Sequence, residues 1–176
     1  GEVVDYRKWN GEEYVVASYK TINSYYIGKI KPRNPQQVLA FNMLQDKDET
    51  IKVISGKFGS GKDYLMIANA LKLIEEGKFD KLIYIRNAIG VKNSIIYVSE
   101  AENLTKEHVQ LLIGRVGEGS ALWMNGDFKQ TDSALFRMNN GLMSTVQKLA
   151  GHEKFGYVQL QKTERSETAA MADLLD

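Results

Sequence analysis

Apolar residues recur along this chain with two periods, and the change of period divides it. Up to about residue 33 they cluster in short runs of β-branched and tyrosyl side chains: Val3-Val4-Asp5-Tyr6, Glu13 to Tyr19, and Ser24 to Ile30. The pairs Asn10-Gly11 and Asn23-Ser24 part these runs as turn signals, so a small antiparallel β module is predicted over residues 1–33. At Asn34-Pro35-Gln36-Gln37 the pattern becomes helical. Asn34 suits an N-cap, Pro35 the first helical position, and Gln37 completes a capping box, which starts a helix running to about Gln45. Strand and helix patterns then alternate. Strands are predicted at Ile51–Ile54, Lys81–Ile85, Ile95–Val98, Ala121–Met124 and Gly156–Leu160. Helices are predicted at Gly61–Glu76, Lys106–Arg115, Ser133–Met138, Leu142–Leu149 and Glu167–Leu175. Apolar strands alternating with helices give an α/β fold, a mainly parallel sheet flanked by helices over residues 34–176.

One connection is too short for that scheme. Parallel neighbours need a crossover of roughly a dozen residues, usually a helix, yet only Arg86 to Ser94 separate Ile85 from Ile95. Either these two strands pair antiparallel, or a segment between Asn87 and Asn93 is missing from the sequence.

Composition narrows the chemistry. The chain has no cysteine, and His108 and His152 are its only histidines, which excludes disulfide frameworks, thiolate nucleophiles and multi-histidine metal sites. No apolar run approaches the roughly 20 residues of a membrane span, and the first residues lack the layout of a secretory signal. A cytoplasmic protein with no membrane partner is expected. The 23 basic and 22 acidic side chains nearly cancel, so any contact with nucleic acid has to be local. One segment qualifies: Lys20, Lys29, Lys31 and Arg33 lie among Tyr19, Tyr25 and Tyr26 with no acid between. Such interleaving suits a single strand held by phosphate contacts and stacking, and equally suits a sheet edge guarded by lysines.

Three stretches carry chemistry. Gly56-Lys57-Phe58-Gly59-Ser60-Gly61-Lys62-Asp63 lies between a strand and a helix and matches G-x-x-x-x-G-K. Glycines there let backbone N–H groups curl around a phosphate, the helix terminus adds its positive dipole end, and Lys62 reaches the outer phosphates. Where a hydroxyl would hold magnesium, Asp63 stands instead. Second, the strand ending at Val98 runs into Ser99-Glu100, where phosphate-loop enzymes place a metal-binding aspartate and often a glutamate that positions water. Third, Asn125-Gly126-Asp127-Phe128-Lys129-Gln130 follows an apolar strand and can set a carboxylate and an amide beside an outer phosphate. Asp63 and Ser99 depart from the pattern in opposite senses. Two readings stand: a reciprocal exchange that keeps one carboxylate and one hydroxyl for the metal, or a degenerate site that binds nucleotide without hydrolysing it.

With these motifs in order, residues from about Lys31 to Asp176 resemble the PhoH-like ATPase family, whose core is related to superfamily 1 helicases. The matching stretches also include Lys31 to Gln37, Ser94 to Thr105, Arg115 to Ser120, Asn140-Gly141-Leu142 and Glu164 to Glu167. The resemblance implies a RecA-like core, ATP and Mg2+ as cofactors, and action on RNA or single-stranded DNA. It implies adenine contact for Gln37, phosphate binding for Lys62, water positioning for Glu100, sensing of the terminal phosphate by Asp127 and Gln130, and transition-state stabilisation by Arg165. Asp63 and Ser99 would hold the metal. Arg86 matches a family Arg-Pro pair whose proline is Asn87 here, and Glu102 stands where the family has glutamine. The family carries a long segment where this chain has its short connection, and a homo-oligomeric ring, hexameric in the family, is implied. The alternative is a nucleotide-binding regulator or ring subunit with little or no hydrolysis.

Overall fold

The computed structural model describes residues 6–25, 27–57, 59–84, 92–128 and 140–161. Two hairpins come first: β1 (Arg7–Trp9) pairs antiparallel with β2 (Tyr14–Val16), and β3 (Ile22–Ser24) with β4 (Gly28–Ile30). At the first turn Asn10 Oδ1 accepts the N–H groups of Glu12 and Glu13 at 2.9 and 2.8 Å. That turn pairs whatever flanks it directly, so its first strand is Arg7–Trp9 and not the predicted Val3–Tyr6, of which residues 3–5 lie outside the described part. The expected strand from Ser24 to Ile30 is likewise corrected. The chain reverses inside it, with Ser24 Oγ accepting the Ile27 N–H at 3.4 Å.

Helix α1 (Pro35–Gln45) starts as predicted, with Asn34 Oδ1 accepting the Gln37 N–H at 3.0 Å. The reciprocal arm differs, because Gln37 Oε1 accepts from the N–H of Arg33 at 2.9 Å, one residue before the cap. After it come β5 (Ile51–Gly56), α2 (Lys62–Glu75), β6 (Lys81–Tyr84), β7 (Ser94–Val98), a 3-10 turn (Ala101–Asn103), α3 (Lys106–Gly114), β8 (Ala121–Gly126), α4 (Gly141–Leu149) and β9 (Phe155–Leu160). The five later strands make one sheet in the order β6-β7-β8-β5-β9, every pair parallel. The expected helices at 133–138 and 167–175 lie outside the described residues.

Every residue of β7 and β8 is buried, which explains why these strands read as continuous apolar runs: helices cover both faces. Successive side chains still alternate between the layers. Ile95, Tyr97 and Trp123 pack with Phe41, Leu44, Leu65 and Met66 of α1 and α2. Ile96, Val98, Leu122 and Met124 pack with Val109, Leu112 and Leu142 of α3 and α4. The second hairpin joins the first layer through Ile22 and Ile30.

β6 and β7 pair in parallel, Lys81 opposite Ser94, which corrects the antiparallel alternative. The segment expected to be missing, between Asn87 and Asn93, falls mostly on residues 85–91, outside the described part.

At the amino end of the sheet Lys52 is buried in β5. Its ammonium donates to the carbonyls of Met43 (2.6 Å), Leu44 (3.0 Å) and Asp46, closing the last turn of α1. The same group sits 5.5 Å over the Trp123 ring.

Candidate functional site

The opposite, carboxyl end of the sheet is where open α/β sheets place ligands, and here the three motifs converge. The loop after β5 turns tightly at its start: a Cβ on Gly56 would come within 2.6 Å of Ser60 Oγ and 3.0 Å of Leu160 Cβ. Gly61 ends the loop at φ +87, a backbone state that costs a residue with a Cβ roughly 1 kcal/mol or more, and caps α2 without a side chain. Lys57, Gly59 and Ser60 complete the described part of the loop, with Ser60 N–H donating to Lys57 O at 3.1 Å. Lys62 Nζ reaches back to the same carbonyl at 3.3 Å. Gln37, 4% exposed, presents Nε2 to Ser60 O at 3.5 Å. It thereby ties the first turn of α1 to the phosphate loop, and both ends of its amide are committed within the protein.

Asp63, in the first turn of α2, meets the ends of two strands. Its Oδ1 accepts from Ser99 Oγ at 2.9 Å, from Asn125 Nδ2 at 2.9 Å and from the Tyr97 hydroxyl. Partial desolvation pushes this exposed carboxyl up more than any other single influence, but the three donors and the Lys62 ammonium together outweigh it and hold Asp63 below the usual carboxylate range. Burial first, then Asp63, push the Tyr97 phenol up, so it stays a donor at neutral pH. The pair that sequence reading singled out as a swapped carboxylate and hydroxyl is in direct hydrogen-bond contact.

Glu100 closes β7 in the left-handed region, φ 54 and ψ 40, a conformation usual at functional turns and rare for glutamate. Glu102 is buried. Its carboxyl accepts its own backbone N–H and that of Asp127, while Oε2 has no partner among the described residues and lies where a Cβ on Gly126 would meet it at 2.3 Å. Burial and then the neighbouring Glu100 push its pKa up against those hydrogen bonds and Lys62. Asp127 is buried beside it at the end of β8. Phe58, Gln130 and Arg165, and Arg86 with Asn87, lie outside the described residues.

Sequence reading passed over Tyr97 and Asn125. A signal existed: Tyr97 shares strand parity with Ser99, and Asn125 is the one amide in a six-residue apolar strand. Among the described residues no three histidine, aspartate or glutamate side chains are arranged so that they could hold a metal ion together. A cation here would therefore rest on Asp63, Ser99 and the ligand's own oxygens, an oxygen set that suits magnesium. A separate cavity of about 420 Å³ lies at the far ends of α1 and α2, lined by Tyr19, Lys20, Gln45, Asn69 and Lys72. No described helix is long and apolar enough to cross a membrane.

The family model described as PhoH-like protein matches residues 29–95 and 89–174, two segments that meet at the connection before β7. Protein PhoH2 of Bacillus subtilis (strain 168) is 30% identical over 214 residues, taking in 85% of this chain and 48% of that protein. That alignment is longer than this whole 176-residue chain, so part of the relative has no counterpart here. Protein PhoH2 of Mycolicibacterium smegmatis is 33% identical over 79 residues, 45% of this chain and 18% of that protein. The chain thus spans less than half the length of these relatives. Matched over most of its residues, on a parallel sheet with a phosphate loop at its carboxyl edge, the chain belongs to the PhoH-like protein family.

Proposed function

We propose that this chain is a magnesium-dependent ATPase in which the two metal-holding residues have exchanged places. The observation that carries the reading is the 2.9 Å hydrogen bond from Ser99 to Asp63. In phosphate-loop enzymes the loop hydroxyl and the strand aspartate both hold Mg2+; here the loop supplies the carboxylate and the strand the hydroxyl. A divalent cation held by Asp63 and Ser99 would supply neutralisation of the charge developing on the outer phosphates. Lys62 binds the same phosphates, the backbone N–H groups of the loop cradle them, and Glu100 orients the attacking water. Asp127 with Gln130, and Arg165, respond to the terminal phosphate as the family resemblance implies. Asp63 is ionised at neutral pH, so without a cation it repels the nucleotide.

Magnesium-dependent phosphate release by wild type beside Lys62→Ala tests the activity. The exchange is tested by restoring the usual pattern: Asp63→Thr alone should abolish release, and Asp63→Thr with Ser99→Asp should recover it. Faster release from Asp63→Thr alone would sink the exchange. A second reading, a nucleotide-binding regulator or ring subunit without hydrolysis, is favoured by the extra buried carboxylate of Glu102. Tight binding of ATP with no release would establish it. Lys20, Lys29, Lys31, Tyr19 and Tyr25 are exposed, which supports action on RNA or single-stranded DNA; a cytoplasmic setting and a homo-oligomer complete the proposal.

A further inference from the structure

Tyr97 and Asn125 lie outside the residues given a role above, yet both point at Asp63. Their placement follows from the sheet. β7 and β8 are neighbours with Tyr97 opposite Trp123, so Asn125 lies two residues beyond Tyr97's partner, level with Ser99. Alternation sends Tyr97, Ser99, Trp123 and Asn125 to the same face, the one covered by α2, and the first turn of α2 carries Asp63.

The hydrogen bonds form a closed ring. Asn125 Nδ2 donates to the Tyr97 oxygen at 2.8 Å and to Asp63 Oδ1 at 2.9 Å, and the Tyr97 hydroxyl donates in turn to Asp63 Oδ1. Asn125 Oδ1 is buried without a partner among the described residues. Flipping the amide would turn that oxygen against the carboxylate, so Asp63 and Asn125 fix each other's orientation. With the Ser99 hydroxyl added, Oδ1 accepts three hydrogen bonds, which leaves Oδ2 as the oxygen able to take a cation. The Ser99 oxygen also hydrogen-bonds with the Tyr97 hydroxyl, and with its proton on Asp63 it keeps lone-pair capacity for the same cation.

We propose that Tyr97 and Asn125 are positioning residues that saturate Asp63 Oδ1 and aim Oδ2, with the Ser99 oxygen, at one divalent cation. The inference rests on the exchanged metal pair of the proposed function and adds the groups that make the exchange work. An aspartate side chain turns about both χ1 and χ2, and the hydrogen-bonded ring fixes the orientation that these torsions would leave open.

The test reads metal binding and not turnover: Mn2+ bound in the presence of a non-hydrolysable ATP analogue, followed by electron paramagnetic resonance. Tyr97→Phe, which keeps the ring and deletes one oxygen, should weaken Mn2+ binding about tenfold, and Asn125→Ala at least as much. In an Asp63→Asn background, Tyr97→Phe should change Mn2+ binding no further. A loss of the same size in that background would assign Tyr97 a general packing role and overturn the proposal, as would wild-type Mn2+ binding by the Tyr97→Phe single variant. If Asn125→Ala does not fold, the Tyr97→Phe pair of measurements decides alone. Wild-type protein that binds the analogue with no Mn2+ dependence would defeat the exchanged metal pair and this inference together; wild-type dependence with unaltered variants would defeat only the inference.

Discussion

The two ends of the sheet each fix a charge, buried in Lys52 and exposed in Asp63, and they satisfy it differently. At the amino end the Lys52 ammonium donates to three carbonyls at the end of α1, so its hydrogen-bonding capacity is full. At the carboxyl end one oxygen of Asp63 takes three neutral donors and the other takes none of them. Full satisfaction makes an anchor. Satisfaction of one atom out of two makes an oriented group with valence in reserve, which is what a metal ligand requires.

The largest expected effect tests the anchor. Lys52→Ala leaves three carbonyls without their donor beside a buried indole, and should cost about 3 kcal/mol or more in urea unfolding. Analogue binding by the protein that remains folded should be near wild type. Lys52 also gives a pH signature. Burial drives its pKa down to about 8 from 10.5, against the pull of Glu49 and Asp46. Between those values the unfolded chain holds more protons, so the Lys52 contribution to stability should rise with pH over that window and vanish in Lys52→Ala. A flat difference between the two proteins from pH 8 to 10 would break the contrast at this end.

Next comes Asp63→Asn, which removes charge but little volume. Binding of the ATP analogue in the presence of EDTA should tighten about tenfold, roughly 1.4 kcal/mol, as the repulsion disappears, while Mn2+ dependence is lost. Its stability profile has the opposite sign to that of Lys52. A depressed carboxyl stabilises above its ordinary value of 3.8 and loses that contribution as pH falls through its folded value, so Asp63→Asn should flatten acid unfolding. Unchanged analogue affinity in EDTA would show that Asp63 does not face the phosphates.

Glu102→Gln should stabilise by about 1 kcal/mol at neutral pH, because a carboxylate whose Oε2 lacks a partner becomes neutral. Its raised pKa means that the ionised form is the costly one, so the gain should shrink as pH falls toward 4.5. Thermal unfolding at two pH values measures it. The smallest effect belongs to Lys8, paired with Asp46 at 2.9 Å and Glu49 at 2.8 Å across a partly exposed surface. Lys8→Ala should cost about 0.5 kcal/mol and fade in high salt.

Local chemistry was legible in the sequence wherever a feature is written in consecutive residues. The cap at Asn34, the phosphate loop and the parallel sheet needed only neighbours along the chain. Tyr97 and Asn125 needed the lateral register of β7 against β8, which no residue in either strand encodes by itself. Lys52 hid for a related reason: a lysine in a β-strand reads as a solvent-facing position until α1 is seen to end above it. Gln37 was recognised at the right place with half its geometry, because the pattern of a capping box does not say which preceding N–H it will meet.

Helix α1 links these two ends mechanically. Its first turn holds the phosphate loop through Gln37 and Ser60 O, and its last turn is gripped by Lys52. Eleven residues give a rod about 16 Å long, stiff over that distance. A ligand that shifts Ser60 therefore pulls on a strut pinned at its far end. The give available to that strut lies sideways, in the cavity between α1, α2 and residues 18–22, where displacement of the loop would arrive as a change of width.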